Sequence, residues 1–140
     1  RLIFSGYKKI VFAYDYLRQG LAPIYHLIEW LTPFKSELHL LQILEESESE
    51  ELDKELKEQQ EIIRLNMPPE FPIHFDAIHA QDLSRSIHQY MIDKEADMLV
   101  LTTHHYSFME KLFHKSVTKV ISTVADYPVF MFPSNGKDIR

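Results

Sequence analysis

Three short segments of this chain are apolar at every position: Ile10-Val11-Phe12-Ala13-Tyr14, Met98-Leu99-Val100-Leu101 and Val129-Phe130-Met131-Phe132. Strand side chains alternate between two faces, so a run without polar alternation needs cover on both sides. Between these runs the apolar period changes to that of a helix. Leu21, Ile24, Leu27, Ile28 and Leu31 form one stripe, with Pro23 in its first turn and Pro33 closing it. Leu83, Ile87 and Met91 recur every four residues, and Val117, Val120, Ile121 and Val124 follow an i, i+3, i+4, i+7 pattern. Leu38 to Leu44 adds a strand, and Ile73-His74-Phe75-Asp76-Ala77-Ile78-His79 adds another whose polar mixture marks it as less buried.

The alternation β-α-β-α-β-α-β-α-β predicts an α/β fold, an open five-stranded parallel sheet of order 3-2-1-4-5 with helices on both faces. The strands starting at Ile10 and Met98 belong at its centre and the one starting at Ile73 at an edge. In that order the ligand crevice lies at the carboxyl ends of the first and fourth strands, where Asp15 and the segment from Thr102 onward are expected to meet. The last strand forms the opposite edge, apolar and without a charged gatekeeper. Either a dimer seam through Val129, Phe130, Met131 and Phe132 covers it, made with a second chain or a second domain, or the domain's own helices do.

Composition narrows the function classes. A length of 140 residues with 45% hydrophobic content suits one domain with a core of its own and excludes global disorder. The absence of Cys excludes disulfides and thiolate metal sites and is compatible with a reducing compartment. No apolar run approaches the roughly 20 residues of a membrane span. The net charge of −6 argues against a nucleic-acid binder that neutralises phosphates. That charge is local: residues 45–61 hold nine acids and two lysines, and the rest of the chain is nearly balanced. Leu52, Leu56 and Ile63 give this stretch near-helical spacing, so it reads as a long helix with a solvated acidic face, ended by Met67-Pro68-Pro69.

Lys8-Lys9-Ile10-Val11-Phe12-Ala13-Tyr14-Asp15 resembles the opening strand and acid of universal stress protein domains, and Leu38 to Leu44 their second strand. Ala96-Asp97-Met98-Leu99-Val100-Leu101, Ser116-Val117 and Tyr127-Pro128-Val129-Phe130-Met131-Phe132-Pro133 are similar to their last third. The resemblance implies the same sheet order, an adenine-nucleotide alpha-hydrolase-like fold, and pairing of domains through the last strand. Nucleotide-binding members carry Gly-x2-Gly-x9-Gly-[Ser/Thr] after the fourth strand. The resemblance places the nucleotide positions at Asp15, Ile43, Thr102, His105, Lys115 and Ser116. The three glycine positions are Thr102, His105 and Lys115, and only the terminal hydroxyl, Ser116, is kept. Glycines there let backbone N–H groups reach phosphates without a Cβ in the way. Side chains in their place predict that ATP is not held in the family's usual manner.

Other constellations are weaker. No two of the eight histidines form an i, i+4 pair on an expected helix, and His-Glu-x-x-His is absent. A loop bringing His104, His105 and His114 together would make a metal- or small-ligand sensor, and no metal is expected. There is no Gly-x-Ser-x-Gly elbow. Asp15 serves either as a general base or ribose-binding acid, or as an acid capping the following loop. A phosphoacceptor receiver lacks its acidic pair and its strand-three aspartate here. Lys111, Lys115 and Lys119 form a basic stripe if helical, and Tyr106, Phe108 and Phe113 lie in the same segment.

These readings predict a non-enzymatic universal stress protein domain over 8–133, cytoplasmic, acting through a homodimer or tandem pairing, with neither nucleic acid nor membrane as partner. Residues 1–7 read as a connector from an upstream segment, which suggests the second half of a tandem pair, and 134–140 as a polar tail. No cofactor is expected. The rival is an ATP-binding stress switch that uses Asp15 and Ser116 with a glycine-free loop.

Overall fold

Ile10, Val11, Phe12 and Ala13 are each completely buried, as a strand covered on both faces must be. They belong to β1 (Lys9–Tyr14) of a computed structural model that describes residues 8–44, 50–79, 83–102 and 127–132. The elements that follow are α1 (Tyr16–Gln19), α2 (Ala22–Leu31) with a 3₁₀ turn (Thr32–Phe34), β2 (Glu37–Leu44), α3 (Glu50–Leu65), β3 (Ile73–His79), α4 (Leu83–Lys94), β4 (Met98–Thr102) and β5 (Val129–Phe132). The helix expected over 117–124, the basic stripe and the tail lie outside the described residues.

All described strand pairings are parallel, in the order β3-β2-β1-β4-β5. The expected order, the central β1 and β4 and the edge position of β3 are therefore what the chain adopts. Even-numbered residues of β1 and β2 (Ile10, Phe12, Tyr14, Leu38, Leu40) pack under α2 and α3 through Ile24, Leu27, Ile28, Leu56 and Ile63. Odd-numbered ones (Val11, Ala13, Leu41, Ile43) pack under α4 through Ile87 and Met91. The acidic helix thus buries one stripe and turns Asp53, Lys54 and Glu58 to solvent. Asp97 closes the base of the sheet by accepting the Lys8 and Lys9 amides at 2.9 and 2.8 Å. Among the described residues, no helix is long and apolar enough to cross a membrane.

One local feature departs from the sequence expectation. The segment after Asp15 is two helices, because the chain turns at Gly20 with φ 93 and ψ 173. Only glycine occupies that region without strain. Its carbonyl accepts the Tyr14 hydroxyl at 2.9 Å, tying the turn to the sheet. No atom would meet a Cβ within 4 Å at this position. Gly20→Ala is therefore a test of backbone strain alone and is expected to lower stability by about 1–3 kcal/mol in urea unfolding.

Candidate functional site

The carboxyl ends of β1 and β2 bring Asp15 and Gln42 together. Asp15 is buried and caps α1: its Oδ1 accepts the Arg18 amide at 3.3 Å. The same Oδ1 accepts the Gln42 side-chain amide at 2.7 Å, and Oδ2 accepts the Arg18 guanidinium at 2.9 Å. Gln42 is itself almost fully buried and uses its whole amide. It donates a second time to the Ile43 carbonyl at 2.7 Å and accepts the Tyr16 and Leu17 amides at 3.1 and 3.4 Å. Polar groups taken from water at the end of a strand need partners inside the protein, and here they supply one another.

Two buried tyrosines wall the same region. Burial pushes the Tyr16 hydroxyl up to about 12, and it accepts a bond from Gln60 of α3 at 3.3 Å. Burial, and then the neighbouring Asp15 charge, raises Tyr14 further. Both hydroxyls stay protonated, so Tyr14 remains a donor to Gly20.

A pocket of about 230 Å³ opens beside these groups, lined by Asp15, Leu17, Arg18, Gln42, Ile43, Leu44, Leu52 and Glu55. Of the sequence-derived nucleotide positions, the structure brings Asp15 and Ile43 to this one pocket. Thr102 ends β4, in register with Phe132. His105, Lys115 and Ser116 lie outside the described residues, as do His104 and His114. The capping role considered for Asp15 is realised in its bond to the Arg18 amide. The pocket is smaller than the roughly 300–1,000 Å³ usual for small-molecule sites. Glu55 lines it as well, so two carboxylates stand there against one guanidinium.

Sequence reasoning missed Gln42, Arg18 and Glu55. The signal for Gln42 was present: it is a polar residue inside the apolar run Leu40-Leu41-Gln42-Ile43-Leu44. Of the residues expected at a seam, Val129 of β5 packs on the α4 side and Phe130 on the α2 side, with the Phe130 ring 5.4 Å from Trp30. Among the described residues, β5 pairs only with β4.

Comparison with known proteins bears on this geometry. Universal stress protein UspA from Lactobacillus plantarum superposes with a TM-score of 0.61 at 15% identity, over 90% of this chain and 97% of its own. A universal stress protein from Archaeoglobus fulgidus gives 0.63 at 14% identity over 94% of this chain, which spans 46% of that longer one. A universal stress protein in complex with cAMP gives 0.59 at 13% identity, over 89% of this chain and 95% of its own. At such identities the likeness is one of fold. No curated protein matches the chain in sequence. The sequence profile described as "Universal stress protein family" does match, from residue 6 to residue 133, and by that span the chain belongs to the universal stress protein family.

Proposed function

We propose that this domain works as an association module of the stress response, in the cytoplasm, and that it neither holds ATP in the manner of nucleotide-binding relatives nor turns it over. The observation that carries the reading is the engagement of Asp15. Both of its carboxylate oxygens already accept bonds from Arg18 and Gln42, so the first-strand acid is held by the protein's own groups. The sequence adds Thr102, His105 and Lys115 at the three glycine positions, where a backbone cradle for phosphates needs no side chain. Titrating magnesium-ATP into the purified chain by calorimetry is expected to show no binding up to about 1 mM. A micromolar Kd overturns the reading. One observation favours the rival nucleotide switch, namely that Asp15 and Ile43 share a pocket. Repeating the titration with cAMP tests it directly, because one structural neighbour is a cAMP complex.

Association is proposed to run through β5, with a second copy or a tandem partner domain. The Archaeoglobus chain, about half of which this chain spans, supports the tandem form. The Leu99 amide donates to the Pro128 carbonyl at 3.1 Å. By strand alternation Phe130 and Phe132 also direct their main chain toward β4, which leaves the N–H and C=O of Val129 and Met131 on the open edge. Met131→Pro removes one open-edge donor without removing a β4 hydrogen bond. In sedimentation velocity the parent chain is expected to be dimeric and the variant to dissociate at least ~10-fold more readily, with unchanged circular dichroism. A variant that stays dimeric, or a monomeric parent, refutes the seam.

A further inference from the structure

We propose that Glu37, His39 and His74 form a binding site for a divalent first-row transition cation of the zinc type, at the end of the sheet opposite the Asp15 crevice. Glu37 and His39 are i, i+2 neighbours at the start of β2 and so share a face. His74 of β3 is the register partner of His39. The two imidazole rings stack with centroids 4.6 Å apart and planes within 19°. Both rings turn Nε2 to one carboxylate oxygen, Glu37 Oε2, at 2.7 and 3.1 Å. One ligand atom from each residue lies within 4.8 Å of the others. Tetrahedral zinc with bonds near 2.0–2.1 Å needs ligand atoms roughly 3.3 Å apart, so small side-chain rotations suffice to admit the ion.

The surroundings fix the ring that matters most. Tyr90 of α4 donates its single hydroxyl proton to Asp76 Oδ2 at 2.6 Å. Its oxygen lies 3.3 Å from His39 Nδ1 and can only accept there, so Nδ1 carries the ring proton. A neutral His39 in that tautomer presents the Nε2 lone pair to a carboxylate oxygen 2.7 Å away. At that separation a proton, on the ring or on the carboxyl, joins the two atoms as a hydrogen bond, and a metal ion would take the proton's place once the atoms part to about 3.3 Å. A ligating histidine usually donates its far N–H to a carboxylate, carbonyl or water; here the Tyr90 hydroxyl stands in that place.

Access agrees with a cation. Glu37 and Asp76 place two carboxylates here, offset by two cations of the same surface pocket, Arg64 and Lys94, whose Nζ is 4.0 Å from Asp76. Nearby Arg64 sits over the Phe75 ring at 5.0 Å. His39 is buried whereas the His74 side chain is 53% exposed, so the cluster opens to a surface pocket on the His74 side. Two imidazoles and one carboxylate leave a fourth position for solvent or a partner's ligand, a donor set that suits zinc better than calcium or magnesium. The bound ion would clamp the edge strand β3 to β2.

The chelator-treated chain is titrated with zinc chloride by calorimetry, and with cobalt(II) followed by its visible absorption. One equivalent of zinc and tetrahedral-type cobalt bands are expected. His74→Ala is expected to weaken zinc binding at least ~100-fold and to abolish the cobalt bands, and Tyr90→Phe to weaken binding ~10–100-fold. Glu37→Gln is read in the same way, so the outcome does not hang on one variant folding. Absent binding, or binding that both His74→Ala and Glu37→Gln leave unchanged, overturns the proposal. The first result means that a proton fills the gap, and the second that other histidines hold the ion.

Discussion

Phe12→Ala is expected to lower the unfolding free energy by about 3–5 kcal/mol, with the urea midpoint falling and the slope unchanged. Phe12 lies in the middle of β1, is fully buried, and pairs with Leu40 of β2 and Val100 of β4. Its ring stacks on Tyr14 at 4.8 Å with planes 9° apart. Removing it opens a cavity between the sheet and its α2–α3 layer that neither neighbouring strand can close, because each is itself paired on its far side. At roughly 2–4 °C per kcal/mol for a chain of this size, the thermal midpoint falls by about 6–20 °C. Trp30 makes the contrast. Larger than Phe12 but 52% exposed, it is expected to cost about 1 kcal/mol or less as alanine, mainly through its contact with Phe130. A Phe12→Ala loss below about 2 kcal/mol means that β1 is not the pinned centre of the sheet.

The centre of the sheet was legible because burial on both faces leaves a run such as Ile10 to Tyr14 with no polar alternation, and a polar mixture such as Ile73 to His79 marks the edge. Those two patterns order the strands before any contact is known. The sites were less legible, and the reason is register. His39 and His74 are 35 positions apart in sequence and become neighbours only when β2 and β3 pair with no slip; a shift of one residue would turn one ring to the opposite face. No spacing rule for metal ligands within one helix or loop reaches such a pair. Closeness in sequence groups His104, His105 and His114 instead. The two polar residues that interrupt the β2 run, His39 and Gln42, each turned out to organise one end of the sheet. A buried polar residue inside an apolar strand must have partners, so both positions carried a signal even though their partners could not be named.

Gln42→Leu follows from that argument and is expected to cost about 2–4 kcal/mol, although leucine suits the surrounding apolar volume. The lost amide oxygen leaves the Tyr16 N–H without its acceptor, and the lost amide nitrogen removes a donor from the Asp15 carboxylate. Each orphaned buried group costs about 1–3 kcal/mol, more when it is charged. Asp15→Asn in the same background separates these contributions. If the carboxylate depends on Gln42, the double-mutant cycle gives a coupling of about 1–3 kcal/mol, and Asp15→Asn costs less once Gln42 is gone. The measurement bears on function as well as stability. A carboxylate that the protein has built into its own network is a poor candidate for a nucleotide contact, since a ligand would first have to displace Gln42 or share its acceptor. A Gln42→Leu chain as stable as its parent would mean that Asp15 is not held in this way, and the nucleotide-switch reading would then gain the ground that the association reading loses.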